Sequence, residues 1–226
     1  MQLRRNADVI VESLTVAGKQ IIDVGCGDGS LVRHLTKNGA HVLGVECSPR
    51  QLAKAAQAER VGDEQIVAGV GQALPAADGS AEIVVFFNSL HHIPAAAMGQ
   101  ALAEAVRVLT ANGCVYISEP VAEGLFFQTC RPIDDETQVR DLAYQALQTC
   151  PDLRVAQEFT YLHPMIFPDY EAFREKIISA NAEREAQFAT MDEDMRHLFR
   201  QNGRQVEKGW EFHQPMRVNI LTRVDA

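Results

Sequence analysis

The amino-acid sequence predicts an α/β protein in which a mostly parallel sheet carries helices on both faces. Three observations point there. Between Gln20 and Ser118 short apolar, β-branched runs alternate with helix-period stretches. The run Ile83 to Phe87 (IVVFF) is continuously apolar, as in a strand buried on both faces. The stretch Gln20 to Ser30 (QIIDVGCGDGS) reads as strand, tight Gly-rich turn and helix start, the arrangement that places ligands at the carboxyl ends of parallel strands.

Taken in order, Ala7 to Val16 has helical apolar spacing at Ala7, Ile10, Val11 and Leu14, and Gly18 stops it. Gln20 to Val24 is the first strand. Ser30 is expected to cap the next helix, which runs to Asn38 and stops at Gly39. His41 to Glu46 is the second strand. Ser48 and Pro49 supply an N-cap and a first-turn proline for a helix over Gln51 to Arg60. Ile66 to Val70 makes a third strand, and the loop after it turns at Asp78-Gly79. Ile83 to Phe87 is the fourth. Pro94 opens a helix that runs through Leu109, Asn112-Gly113 closes it, and Cys114 to Ser118 is the fifth strand. Past Pro120 the pattern weakens: Gly124 to Cys150 is mostly helical, Glu158 to Phe167 reads as a sixth strand, Tyr170 to Phe199 as one or two amphipathic helices, and Trp210 to Arg223 as a closing strand.

A length of 226 residues suits one domain. The formal charge of -9 and the lack of any Lys/Arg run argue against nucleic acid or an anionic membrane as partner. No apolar run approaches the roughly 20 residues of a membrane helix, and the N-terminus carries charges where a signal peptide would be apolar, so a cytoplasmic protein is expected. Five cysteines without C-x-x-C spacing read as reduced thiols, and no metal-ligand cluster is expected.

In the turn, Gly25, Gly27 and Gly29 allow sharp bending and close backbone approach, and the following helix offers unpaired N–H groups. The dinucleotide fingerprint G-x-G-x-x-G needs Gly or Ala where this chain has Ser30, which opposes a nicotinamide-dependent oxidoreductase. Glu46 ends the second strand 17 positions after Gly29, where a carboxylate can accept hydrogen bonds from both hydroxyls of a ribose.

Asp23 two places before Gly25, followed by Gly-x-Gly-x-Gly, resembles motif I of the class I S-adenosylmethionine (SAM)-dependent methyltransferases. The segments GVGQALPAADGSAEIVVFFNSLHHI and ALAEAVRVLTANGCVYISEP are similar to later motifs of the ubiquinone/menaquinone-biosynthesis (methyltransferase type 11) group, so the resemblance covers roughly Gly18 to Pro120. It implies a Rossmann-like, seven-stranded, mostly parallel sheet completed by an antiparallel last strand. It also implies one domain over 1–226, with a core at about 18–120 and helical lid elements and closing strands at about 121–226. The implied cofactor is SAM. Asp23 and the turn Gly25, Cys26, Gly27 and Gly29 would face its methionine and ribose, Glu46 and Cys47 its ribose, and Val70, Gly71 and Gln72 its adenine; Asn88 would lie near the methionine end. One position departs from the pattern. Val70 stands where the group usually has an Asp that accepts from the adenine amino group, leaving the Gln72 carboxamide or the backbone to replace it.

Methyl transfer from an activated sulfonium chiefly requires alignment and exclusion of water; a base is needed only where the acceptor keeps its proton. The base candidates are His91, His92 and Glu119, with His163 and His213 further along; the adjacent histidines read first as fixing the loop after the fourth strand, and Glu119 reads equally as the partner of an arginine. Aromatics from Phe126 to Trp210 could wall an acceptor pocket, but read first as packing, and Arg131 and Arg140 read first as solvated helix residues. The expectation is a small-molecule methyltransferase, monomer or homodimer, with oxygen placed ahead of carbon or nitrogen as acceptor. The alternative is an accessory protein of the same fold without catalysis.

Overall fold

A computed structural model of the protein describes residues 1–180 and 184–224. Its sheet has the order β3-β2-β1-β4-β5-β8-β6, formed by β1 (Gln20–Val24), β2 (His41–Glu46), β3 (Gln65–Ala68), β4 (Ala81–Phe87), β5 (Leu109–Pro120), β6 (Leu153–Phe167) and β8 (Gly209–Arg223). The pairs β1–β2, β2–β3, β1–β4 and β4–β5 are parallel. The chain therefore steps outward from β1 to β3 and returns to the other side of β1 with β4. That reversal puts the glycine turn, at the carboxyl end of β1, at the topological switch point where α/β sheets bind ligands. The architecture is Rossmann-like, as expected. A short β7 (Arg204–Val206), which the sequence pattern did not reveal, makes an antiparallel hairpin with the start of β8.

By contact density the chain forms two compact units. The first comprises 6–119, 139–159 and 217–226. Alternation along the strands sorts its side chains. Ile22, Val24, Val45, Val84, Phe86, Val115 and Ile117 pack with Met98, Ala101, Leu102 and Ala105 of α4 (Ala95–Val108) and with Ala143 and Leu147 of α6 (Thr137–Gln148). On the opposite face α2 (Ser30–Lys37) lies against β2. A Cβ at Gly44 would come within 2.9 Å of Val32 Cγ2, so the glycine lets the helix approach. Asp23, paired in register with Gly44, and Glu46, two residues further along β2, share this face.

The helices before α4 are α1 (Asn6–Ser13), α2 and α3 (Pro49–Gln57). Ser48 caps α3 as expected, accepting from the Gln51 amide at 3.4 Å. Ser30 does not cap α2. It is the first helical residue, and both its amide (3.0 Å) and its hydroxyl (2.6 Å) donate to the Asp28 carboxylate. Pro94 is the N-cap of α4 and not its first residue. Asn112-Gly113 lies within β5. The register moves from Ala81↔Leu109 to Ile83↔Cys114, so the extra residues form an irregularity that keeps the pairing on either side.

The other unit comprises 1–5, 120–138 and 160–216. Phe167, Tyr170, Phe173, Phe188, Phe199 and Phe212 form its buried core, with α5 (Gly124–Cys130), α7 (Tyr170–Ala180) and α8 (Arg184–Asn202) around it. Edge-to-face pairs such as Phe167–Phe173, centroids 5.5 Å apart, join several of these rings, in line with the packing reading.

Candidate cofactor site

The turn after β1 is held from below and left open above. The amides of Gly25 (2.8 Å) and Cys26 (3.1 Å) donate to the Val45 carbonyl of β2. Gly25, Gly27 and Gly29 have φ of 73°, 58° and 78°, in the left-handed region where side chains are strained. Their surroundings differ. A Cβ on Gly25 would lie 2.7 Å from Ser89 Cβ and one on Gly29 would lie 2.3 Å from Ile66 Cδ1, whereas one on Gly27 would meet nothing within 4 Å. Two of the glycines close the protein's own packing, and Gly27 leaves space on the open side.

Glu46 is the hub of this end of the sheet. Its Oε2 accepts from the Gly27 amide at 2.8 Å, its Oε1 from the Ser48 amide at 2.7 Å, and its backbone carbonyl from the Gly69 amide at 3.0 Å. Through its carboxylate Glu46 links the turn to the start of α3, and through its backbone it ties in the residue after β3. A carboxylate has about four acceptor positions, so two remain for hydroxyl donors.

Asp23 is 1% exposed, and neither carboxylate oxygen has a hydrogen-bond partner among the described residues. Burial, and then the charge of Glu46, push its pKa up to about 7. The same carboxylates, after burial itself, raise the Cys26 thiol far out of the reactive range. Cys47 is exposed beside Glu46. The pattern suits a ligand that brings donors and positive charge.

Val70 is 46% exposed, and its backbone bridges to Ala73. Gly71 is buried, with Ile93 and Val24 too close for a side chain. Gln72 is half-buried, and its carbonyl accepts from Gln100 Nε2 at 3.1 Å. Helix α4 braces this loop further: Glu104 accepts from the Leu74 amide at 2.8 Å, while Arg107 donates to the carbonyls of Leu74 (3.0 Å) and Ala76 (2.9 Å). Neither that bracing nor the Asp28 cap was foreseen. Only Asp28-x-Ser30 carried a sequence signal, that of an aspartate turn before a helix.

After β4, Asn88 adopts φ 53°, rare for a residue other than glycine, and its buried Oδ1 has no hydrogen-bond partner among the described residues. Its amide donates to the Ser118 carbonyl at 2.8 Å. The following 3-10 turn, Leu90–His92, carries His91 buried and His92 exposed. His91 Nδ1 hydrogen-bonds the Glu119 carboxylate, which also accepts from the amides of Ser89 (3.2 Å) and Leu90 (2.9 Å). His163 and His213 belong to the other unit.

Residues 22–117, which contain the glycine turn, Glu46 and the turn after β4, match the family model described as "Methyltransferase domain". The likeness to that domain covers this stretch, less than half of the chain. An uncharacterized methyltransferase of Mycobacterium ulcerans is 34% identical to the chain over 112 residues, which are 50% of this chain and 43% of the relative. The match thus spans less than half of that relative. The likeness in fold extends over nearly the whole chain: the structure is similar to the YcgJ protein of Bacillus subtilis (TM-score 0.59, 16% identity, 96% of both chains). It is also similar to a TehB-like SAM-dependent methyltransferase of Corynebacterium glutamicum (TM-score 0.54, 16% identity, 97% of this chain and 88% of that one). No helix among the described residues is long and apolar enough to cross a membrane.

Proposed function

We propose that the protein is a SAM-dependent methyltransferase acting on a small-molecule acceptor. The observation that carries this reading is the pair of buried carboxylates at the end of β1 and β2 beside the glycine turn: Asp23 without a hydrogen-bond partner among the described residues, and Glu46 with acceptor positions left beyond the Gly27 and Ser48 amides. Glu46 would hold the ribose hydroxyls, Asp23 the cationic methionyl end, and Gly27 would let the ligand lie against bare backbone. Cys26, Gly29, Cys47, Gly71, Gln72 and Asn88 would line the rest. When bound, SAM supplies a methyl group already activated by its sulfonium. The protein's part is then to hold the two reactants in line and exclude water, and neither task needs a nucleophilic side chain. The chain's -9 charge supports a small-molecule acceptor over a nucleic acid.

Calorimetric titration with S-adenosylhomocysteine, the demethylated product, tests the site without knowledge of the acceptor. Micromolar binding that Glu46→Ala abolishes is expected. Undiminished binding by the variant would remove Glu46 from the site, and no binding by the wild type would overturn the cofactor reading. Val70, with no acceptor for an adenine amino group, supports a second reading in which the fold holds the cofactor without turnover. Binding combined with no methyl transfer across a broad acceptor panel is its signature.

A further inference from the structure

The end of β5 grips four consecutive residues of the turn after β4. Asn88 donates its amide to the Ser118 carbonyl at 2.8 Å; Ser89 and Leu90 donate theirs to Glu119 Oε1 at 3.2 and 2.9 Å; and His91 Nδ1 meets Glu119 Oε2. Glu119 is 7% exposed and His91 5%. The grip passes on to β1. Ser89 Oγ donates to the Val24 carbonyl at 2.6 Å, and Ser89 Cβ occupies the space that a side chain on Gly25 would need. A chain of hydrogen bonds thus runs from His91 through Glu119 and Ser89 to the residue before the glycine turn, and it fixes the uncommon backbone of Asn88 on the way.

We propose that Glu119 and His91 are positioning residues of the cofactor site, setting the shape of the glycine turn and the aim of Asn88 through Ser89. Both Glu119 oxygens are committed to this turn, and a carboxylate that accepts from two buried amides and a ring nitrogen is oriented by the fold. The inference rests on the reading of the turn as a SAM site.

The test compares Glu119→Ala with Glu119→Gln, and His91→Phe with His91→Asn, by titration with S-adenosylhomocysteine and by amide hydrogen exchange of the unliganded full chain. In Glu119→Gln the remaining oxygen still accepts from Ser89 and Leu90, and the new NH₂ donates to a neutral His91 ring. In His91→Asn a side-chain amide still donates to Glu119. Both conservative variants are expected to keep affinity within about twofold, whereas Glu119→Ala and His91→Phe lose on the order of tenfold. Amides of 25–27 and 88–91 exchange on the order of tenfold faster in Glu119→Ala, with the β1–β2 amides unchanged. If Glu119→Ala fails to fold, His91→Phe against His91→Asn makes the same comparison. Equal affinity and exchange across all variants would overturn the proposal, and so would Gln and Asn variants as impaired as Ala and Phe. If the wild type binds no S-adenosylhomocysteine, the cofactor reading fails first and the exchange pattern still decides whether the network holds the turn.

Discussion

Asp23 and Glu119 are both buried carboxylates at the carboxyl edge of the sheet, and the fold treats them in opposite ways. Glu119 receives two amides and a histidine ring. Asp23 receives no hydrogen bond from the described residues; burial, and then the charge of Glu46, push its pKa up to about 7. Burying a carboxylate without donors costs far more than leaving it in water, so a fold that places one there does so at the expense of stability. The contrast separates two kinds of buried acid. One is consumed in building the turn after β4, and the other stands without hydrogen-bond donors among the described residues beside the turn after β1, where we propose the cofactor.

Two neighbouring glycines provide the strongest way to break that comparison. Gly25→Ala combines a left-handed φ of 73° with a Cβ 2.7 Å from Ser89 Cβ, and should cost about 3 kcal/mol of folding stability together with cofactor binding. Gly27→Ala has the strain at φ 58° but no steric neighbour, and should cost only about 1 kcal/mol. It nevertheless places a methyl group in the space assigned to the ligand. Urea unfolding and titration with S-adenosylhomocysteine, run on both variants, should show stability separating them while binding is lost in each. Near wild-type affinity in Gly27→Ala would mean that the open side of the turn is not where the ligand lies.

Asp23→Asn sharpens the comparison through pH. The folded-state pKa of Asp23 is raised from 3.8 to about 7, so the folded protein holds this proton more tightly than the unfolded chain. Its contribution to stability therefore falls as pH rises from about 4 to about 7, by at most about 4 kcal/mol, and the full penalty persists above 7. The Asn variant never pays it. Relative to wild type it should gain about 1–3 kcal/mol at pH 8 and almost nothing at pH 4 in urea unfolding, while binding S-adenosylhomocysteine more weakly. A difference between variant and wild type that does not change with pH would show that Asp23 is already charged and solvated in the unliganded protein.

The parallel half of the sheet was legible because its cues are local. Strand β2 begins and ends at the expected His41 and Glu46, and Ser48 caps α3, since periodicity and capping act within a few residues. The glycine turn was legible for the same reason. Elements fixed by distant contacts were not. Asn112-Gly113 looks like a stop signal, yet pairing with β4 carries β5 through it. The hairpin of β7 with β8 rests on three short-range pairs that leave no pattern in so brief a strand. At the site, the sequence offered Glu119 and His91 as base candidates while reading the histidine pair first as fixing its loop, and it named no partner for that role. That Glu119 is occupied by Ser89 and Leu90, 30 and 29 positions away, is information only the fold contains.

Val70 carries the smallest expected effect and the sharpest question about the adenine end. The loop behind it is already rigid: Gln100 holds the Gln72 carbonyl, and Glu104 and Arg107 hold Leu74 and Ala76. Val70 itself is 46% exposed, so exchanging its side chain disturbs little packing. Val70→Asp should therefore leave stability within about 0.5 kcal/mol of wild type and tighten binding of S-adenosylhomocysteine by about 1 kcal/mol, roughly fivefold, by supplying an acceptor for the adenine amino group. Val70→Asn separates the two ways in which a carboxylate could help. Its carboxamide oxygen accepts the same hydrogen bond without adding charge to a site that already contains Asp23 and Glu46. Tightening in both variants would identify a hydrogen bond at the adenine, whereas tightening in Asp alone would mean that the added charge acts on the cationic end of the ligand from a distance. Weakening in both would move the adenine away from the end of β3, leaving Glu46 to hold the ribose while the base lies elsewhere.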